Sequence, residues 1–328
     1  MISHEVKTKH LIVSPSPHIH CGEKTSYVMY SILIALVPAI IFAISQFGFH
    51  AIRVMSLAIA SAMAAEWIIQ ILFKRPVTVS DGSALVTGLL FAMIIPPSTP
   101  WWLVVLGSIL TIFVGKQIFG GIGCHPFNPV LIGWAILSIS WKDYLNFDIA
   151  VINYNLDYSI AYPLSVLKKI GASGLTQFNT SDLILGSKIG GLGSVSVLLL
   201  LIGGLFLIIR GVVSFWIPLS FIIGIIITSG IFWLSNSIQY ASPLFHIISG
   251  NVMIGAFFLA TENSSSPVNR IPMILYGIGC GVLTIIFRVW SIYPDGVVFA
   301  ILIMNIINPL VDKITPQIPE KVKQKVFV

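Results

Sequence analysis

Hydrophobic residues in this chain come in solid runs, and polar residues gather in the shorter stretches between them. Ten runs stand out, covering residues 28–47, 51–73, 83–97, 101–119, 127–141, 193–210, 214–234, 244–260, 270–290 and 296–312. About twenty apolar residues let a helix cross a hydrocarbon core of roughly 30 Å. The pattern predicts an all-α integral membrane protein with about ten transmembrane helices. A membrane barrel would alternate apolar and polar positions in segments of about ten residues, and these runs are solidly apolar. Several runs are short: the third ends in Ile95-Pro96-Pro97 and the fifth opens with Pro126-Phe127-Asn128-Pro129. Proline breaks a helix there, and the freed backbone groups must be satisfied inside protein or in a watery cavity. Residues 1–25 are polar and lack the apolar core of a cleavable signal, so the mature chain is expected to start at Met1.

Composition removes the soluble alternatives. Of 328 residues, 56% are hydrophobic and only 9% charged, against roughly 25% charged in an ordinary soluble domain. The net charge of +6 comes from basic residues that flank apolar runs, so it reads as a topology signal and not as a nucleic-acid footprint. With the N-terminus in the cytoplasm, the inner segments hold twelve Lys and Arg residues against six outside, the six being Arg53, Lys142, Lys168, Lys169, Lys188 and Arg288. Four of those six lie in the long segment 142–192. The expected orientation is N-in and C-in.

That segment divides the chain into a cytoplasmic N-terminal stretch (1–25), five helices (26–141), a large extracytoplasmic loop (142–192), five more helices (193–312) and a cytoplasmic tail (313–328). The halves share landmarks. The stretch from Ser83 to Ala92 resembles that from Gly250 to Leu259, and Gly88 precedes Pro100 by the same distance as Gly255 precedes Pro267. Lys116 and Arg288, then Asn128-Pro129 and Asn308-Pro309, recur in the same order. Two five-helix repeats of opposite orientation are expected, with broken helices and a site between the repeats near the midplane.

Ionisable groups at membrane depth cost about 2.5–3.5 kcal/mol or more, which makes them functional candidates. Glu66 lies inside the second run; it is either a carboxylate reaching the surface or part of an ion pathway. Lys116 and Arg288 are interfacial anchors or anion contacts. Asp295 either lines a pore or caps the run that follows it. The densest signal runs from Gly115 to Pro129. Gly120, Gly121 and Gly123 allow close backbone approach, Lys116 supplies charge, and Asn128 donates and accepts hydrogen bonds. A planar polar ring or a phosphate would suit it, although no nucleotide-binding fingerprint is present; the alternative is a bend that packs two half-helices. Cys21, Cys124 and Cys280 are far apart, and His125 and His246 have no neighbour at metal-ligand spacing. No metal is expected.

Several of these landmarks together resemble the RnfD/NqrB family: Asp81-Gly-Ser-Ala-Leu-Val-Thr-Gly-Leu-Leu90, the Pro-Pro-Ser-Thr-Pro-Trp-Trp run at 96–102, Gly-Gly-Ile-Gly-Cys-His-Pro-Phe-Asn-Pro at 120–129, Gly255-Ala-Phe-Phe-Leu-Ala-Thr261, Ser265-Ser-Pro267 and Tyr-Pro-Asp-Gly-Val-Val-Phe-Ala at 293–300. Val13-Ser-Pro-Ser-Pro-His18 looks like that family's start. The short N-terminal segment is more similar to the RnfD branch. The resemblance implies a urea-transporter-like bundle in the bacterial inner membrane. It further implies a subunit of a redox pump that couples electron flow between ferredoxin and NAD to movement of Na⁺ or H⁺. Such a subunit binds neither ferredoxin nor NAD itself, works with the other Rnf subunits (A, B, C, E and G), and is not active alone. It implies flavin as well: riboflavin among the helices, and flavin mononucleotide joined by a phosphoester to a threonine in the outer loop.

The family's attachment motif reads Ser/Thr-x-Ala-Thr followed by Pro-Leu. Here the matching stretch is Ser159-Ile-Ala-Tyr-Pro-Leu, so Tyr162 holds the position of the acceptor threonine. The other candidate in the loop is Thr176, in Ser173-Gly-Leu-Thr176. A non-covalent flavin is therefore expected, with Lys116, Gly120, Gly121, His125 and Asn128 as its candidate contacts and Asp295, Gly296 and Asn305 as their counterpart in the second half. His125 stands where the family commonly has Asn, and its titration could make flavin binding or proton uptake depend on pH. Glu66 and Asp295 are the candidates for the ion path. The competing reading is a cofactor-free transporter or channel for a small polar solute in the same bundle.

Overall fold

The computed structural model describes residues 24–147, 162–186, 190–194 and 196–314, and every regular element among them is helical. Cys21, the 13–18 stretch, Ser159 and the C-terminal tail from residue 315 lie outside the described residues. The first half contains α1 (Thr25–Phe47), α2 (Phe49–Leu72), α3 (Ser83–Ile94), α4 (Trp101–Ile112) and α5 (Pro129–Ser140). Two short helices follow in the loop, α6 (Pro163–Ile170) and α7 (Thr180–Leu185). The second half contains α8 (Val197–Ile209), α9 (Trp216–Ser235), α10 (Pro243–Ile248), α11 (Val252–Ile254), α12 (Arg270–Trp290) and α13 (Val297–Val311).

Among the described residues, five helices are long and apolar enough to cross a membrane: α1, α2, α9, α12, and α13 with its extension to Ile314. The protein is a multi-pass membrane protein. The remaining apolar helices are shorter. At 1.5 Å per residue, the twelve residues of α3 reach about 18 Å, well short of a bilayer core. Its far end must be satisfied some other way, and the segment before α8 does this. The amide of Gly193 donates to the Met93 carbonyl at 2.7 Å, and that of Leu192 to the Ile95 carbonyl at 3.3 Å. A Cβ at Gly191 would lie 2.9 Å from the Met93 oxygen, so the glycine permits the approach. Arg53, at the start of α2, donates to the carbonyl of Thr99 at 3.2 Å and supports the stretch that links α3 to α4.

The second-half broken helix differs from the sequence expectation of one run over 244–260. It stops at Ile248 and restarts at Val252, without a proline at the break. Gly250 turns the chain there at φ +68°. Beyond Ile254 it continues as a wide π-turn over Gly255–Leu259, and α4 ends in another over Phe113–Gln117.

Across the halves α1 packs against α8 and α5 against α13. Within the halves, α2 packs on α3 and α4, while α9 packs on α12. Lipid tails give no hydrophobic drive between helices, so close backbone approach through small residues matters. A Cβ at Gly224 of α9 would sit 2.6 Å from the Ile278 oxygen of α12, and one at Gly281 would strike the Phe221 oxygen.

Candidate functional site

The π-turn at the end of α4 buries Gly115, Lys116 and Gln117 together. The Lys116 ammonium lies 2.6 Å from Glu66 Oε1, and the two side chains are 2% and 1% exposed. It also donates to Ser83 Oγ at 2.6 Å, at the start of α3. Glu66 Oε1 accepts from Gln117 Nε2 at 3.0 Å and from Gln70 Nε2 at 3.2 Å. Ser83 Oγ in turn donates to Asp81 Oδ1 at 2.6 Å. Glu66 therefore does not reach the surface, and Lys116 is no interfacial anchor. Glu66 Oε2 and Gln117 Oε1 are buried without hydrogen-bond partners.

Above this pair lies a cavity of about 480 Å³, within the range of small-molecule sites. Lys116, Ser83, His125, Asn128 and Glu262 give it a polar end; Val28, Ile32, Leu207, Val212 and Phe257 give it apolar walls. His125 Nε2 faces Glu262 Oε1 at 3.7 Å, while its Nδ1 is buried and unpartnered. Asn128 caps α5, accepting from the Val130 amide at 2.9 Å, and Pro129 occupies the first helical position. Its Nδ2 donates to the Leu259 carbonyl at 2.9 Å. The Asn305 side chain, oriented to satisfy its neighbours, donates to the Tyr276 hydroxyl at 2.6 Å and accepts from the Asn128 amide at 3.1 Å.

The structure thus brings Lys116, His125 and Asn128 to one cavity, with Asn305 behind Asn128. Gly120 and Gly121 shape the loop at φ +121° and +102° but do not line the cavity; Gly123 does. Asp295 and Gly296 lie elsewhere. A Cβ at Gly296 would strike Phe287, so this glycine serves the packing of α13 on α12. Asp295 forms a second buried pair, with Arg288 Nη2 3.1 Å from its Oδ1. Its other oxygen accepts from the Asn251 amide at 2.7 Å, whereas the cap on Val297 is long at 3.5 Å. Arg288 also donates to the carbonyls of His246 at 2.7 Å and Ser249 at 2.9 Å, closing the break between α10 and α11. Like Lys116, it is buried and is not an interfacial anchor.

Asp295 borders another cavity of about 320 Å³ with Trp134, Lys142, Tyr162, Lys168 and Tyr293. Tyr162 precedes α6, is 1% exposed, and lies 4.9 Å from the Phe147 ring, centroid to centroid. Lys168 donates to the carbonyls of Ser291 and Tyr293, and burial lowers its pKa from the ordinary lysine value. Thr176 is exposed on the turn after α6, its hydroxyl donating to the Ser173 carbonyl at 3.3 Å. It lines neither cavity. Sequence reasoning missed Ser83 as a cavity residue, although it stands inside the motif at 81–90; Glu262, an ionisable residue at the end of the 244–260 run, falls between the motifs at 255–261 and 265–267 and was not assigned to the site.

A model of the NQR2, RnfD, RnfE family matches residues 12–320. The D subunit of the Na(+)-translocating ferredoxin:NAD(+) oxidoreductase complex of Acetobacterium woodii is 40% identical over 309 residues, covering 94% of each chain. The D subunit of the proton-translocating ferredoxin:NAD(+) oxidoreductase complex of Clostridium ljungdahlii is 35% identical over 322 residues, covering 96% of this chain and 97% of its own. The D subunit of the ion-translocating oxidoreductase complex of Cronobacter sakazakii is 34% identical over 344 residues, with coverages of 92% and 97%.

Proposed function

Because this chain belongs to the NQR2, RnfD, RnfE family, we propose that it is the D-type membrane subunit of an Rnf-type electron transport complex. Such a complex couples electron transfer between ferredoxin and NAD to translocation of Na⁺ or H⁺ across the bacterial inner membrane. The partners are the other Rnf subunits (A, B, C, E and G), and the chain is inactive without them. One relative is named for Na⁺ and another for protons, so sodium uptake into vesicles holding the complex is the measurement that identifies the ion.

The observation that carries the flavin reading is the 480 Å³ cavity with a polar end and apolar walls. Bound there, a flavin supplies one- and two-electron transfer. His125 Nδ1 is buried without a hydrogen-bond partner within the protein. An ammonium has three N–H donors, and Lys116 uses two on Glu66 and Ser83, so one remains for an acceptor on a ring edge. Asn128 holds the loop and α5 in place, since both of its side-chain polar atoms are engaged within the protein. Tyr162, a phenol in place of the acceptor threonine, does not fit a family-type phosphoester link, and flavin here is non-covalent. For the ion path, Glu66 Oε2 and Gln117 Oε1 offer two buried acceptor oxygens without partners, and Asp295 borders the cavity near Lys142 and Lys168.

The helix pairings support two inverted five-helix repeats separated by the large loop, since α2 with α4 matches α9 with α12, and each half's basic residue ties its own broken helix. The excess of basic residues on the inner segments supports the N-in, C-in orientation.

The test is to purify the complex, precipitate it with acid, and assay flavin in the supernatant and on the separated band of this chain. Flavin released to solution and diminished by Lys116→Met is expected. Flavin on the band would replace the non-covalent reading with attachment at a residue such as Thr176. A flavin-free chain would favour the cofactor-free transporter.

A further inference from the structure

A groove of about 510 Å³ runs between the start of α1 and the end of α8, and shares Lys24 with the 480 Å³ cavity. Its charged lining residues are Lys24 and Arg210, and none of its described lining residues is acidic. The Arg210 guanidinium lies over the Tyr27 ring at 4.9 Å and over the Phe206 ring at 5.4 Å, which holds it in place. Tyr30 and Ser26 add hydroxyl groups. The 23-residue helix α1 opens here, and Lys24 at its N-cap gives no side-chain acceptor to the first-turn amides. Uncapped amides at a helix N-terminus attract anions.

Ser31 and Ile34 complete the groove's lining. Below Tyr27 and Tyr30, α1 exposes Ile34, Val37 and Ile41 on the same face, three or four residues apart. From Tyr27 to Ile41 this stripe is about 21 Å long at 1.5 Å per residue, close to the depth of one leaflet. Two cations, two phenols and the N-terminal turn of α1 thus stand at the head of an apolar track. Basic pockets between helices at the membrane surface bind anionic lipid headgroups, while tyrosine settles at headgroup level.

We propose that this groove is a binding site for an anionic phospholipid, its phosphate held by Arg210, Lys24 and the α1 N-terminus and one acyl chain lying along Ile34, Val37 and Ile41. Charge complementarity selects the lipid over a zwitterionic one, and the apolar track selects it over free phosphate.

The test uses the intact complex in phosphatidylcholine nanodiscs with a few per cent of phosphatidylglycerol carrying a photoreactive diazirine in its acyl chain. Mass spectrometry after illumination is expected to find adducts on the α1 face that carries Ile34, Val37 and Ile41. Unlabelled phosphatidylglycerol should compete, whereas phosphatidylcholine and inorganic phosphate should not. One basic residue near the surface changes anionic-lipid affinity roughly fivefold, so Arg210→Gln should weaken competition about fivefold and the double variant with Lys24→Gln about 25-fold. Arg210→Lys, keeping the charge, should fall between wild type and Arg210→Gln. Equal labelling by a phosphatidylcholine probe, displacement by phosphate, or no change in the double variant would overturn the proposal. A face masked by another subunit, leaving no lipid adduct on α1, would overturn it too.

Discussion

Lys116→Met tests whether the buried pair with Glu66 organises the cavity floor. Methionine keeps most of the lysine stem, so packing changes little, while the charge and three donors vanish. Removing one partner of a buried pair costs about 3–5 kcal/mol, because the other charge is left uncompensated. Glu66 is 0% exposed, but the side-chain amides of Gln117 and Gln70 still donate to its Oε1. Those two donors put the expected loss at the lower end, about 3 kcal/mol, or more than a hundredfold in the unfolding equilibrium. Adding Glu66→Gln removes the stranded charge, and the double variant should return to within about 1 kcal/mol of wild type, so the coupling is about 2 kcal/mol plus whatever loss Glu66→Gln causes by itself. Equilibrium unfolding in mixed micelles of increasing SDS content, followed by tryptophan emission, measures all three variants. A single-variant loss below about 1 kcal/mol, or a double variant whose loss is the sum of the singles, would refute the account.

The second buried pair carries a parallel expectation. Arg288→Gln leaves Asp295 and two carbonyls short of donors and should destabilise by about 3 kcal/mol or more in the same titration, with increased proteolysis at residues 249–251. Gly224→Leu should disrupt the contact of α9 with α12, because even a Cβ there meets the Ile278 oxygen at 2.6 Å; loss of the folded chain from membranes on immunoblotting checks this. Asn128→Leu removes the α5 cap and the bond to Leu259, at about 1–3 kcal/mol, and should lower flavin content through the displaced loop; unchanged flavin stoichiometry would reject that positioning role. His125→Asn should retain flavin, since an amide can replace the imidazole as donor and acceptor, and flavin release measured against pH reads any proton coupling at this position.

The runs and their proline breaks were legible because a membrane helix writes itself as continuous apolar sequence. The break between α10 and α11 was not: the stretch 244–260 contains no proline, and its interruption depends on Gly250 together with Arg288 and Asp295 from about forty residues away. Likewise, composition flagged Glu66 and Lys116 singly as expensive residues, but their pairing across about fifty positions is a property of packing. The role of Gly191 and Gly193 in satisfying the end of α3 was invisible for the same reason. Of the glycine-rich loop, residue types predicted the chemistry better than the geometry. Lys116, His125 and Asn128 reach the cavity, while Gly120 and Gly121 bend the chain behind it.

Asn128 also bears on how this bundle can move. Its amide group joins the first half to Leu259 of the second, and its backbone N–H joins Asn305 on α13. Sliding or rocking one half against the other would strip those buried groups of partners, at about 1–3 kcal/mol for each group left unpaired. The start of α5, and with it the cavity wall, would be dragged along in the same step. A rigid-body exchange of inward and outward states is therefore an expensive route through this molecule. Small displacements of side chains and charge around a fixed frame are the cheaper way to couple electrons to ions.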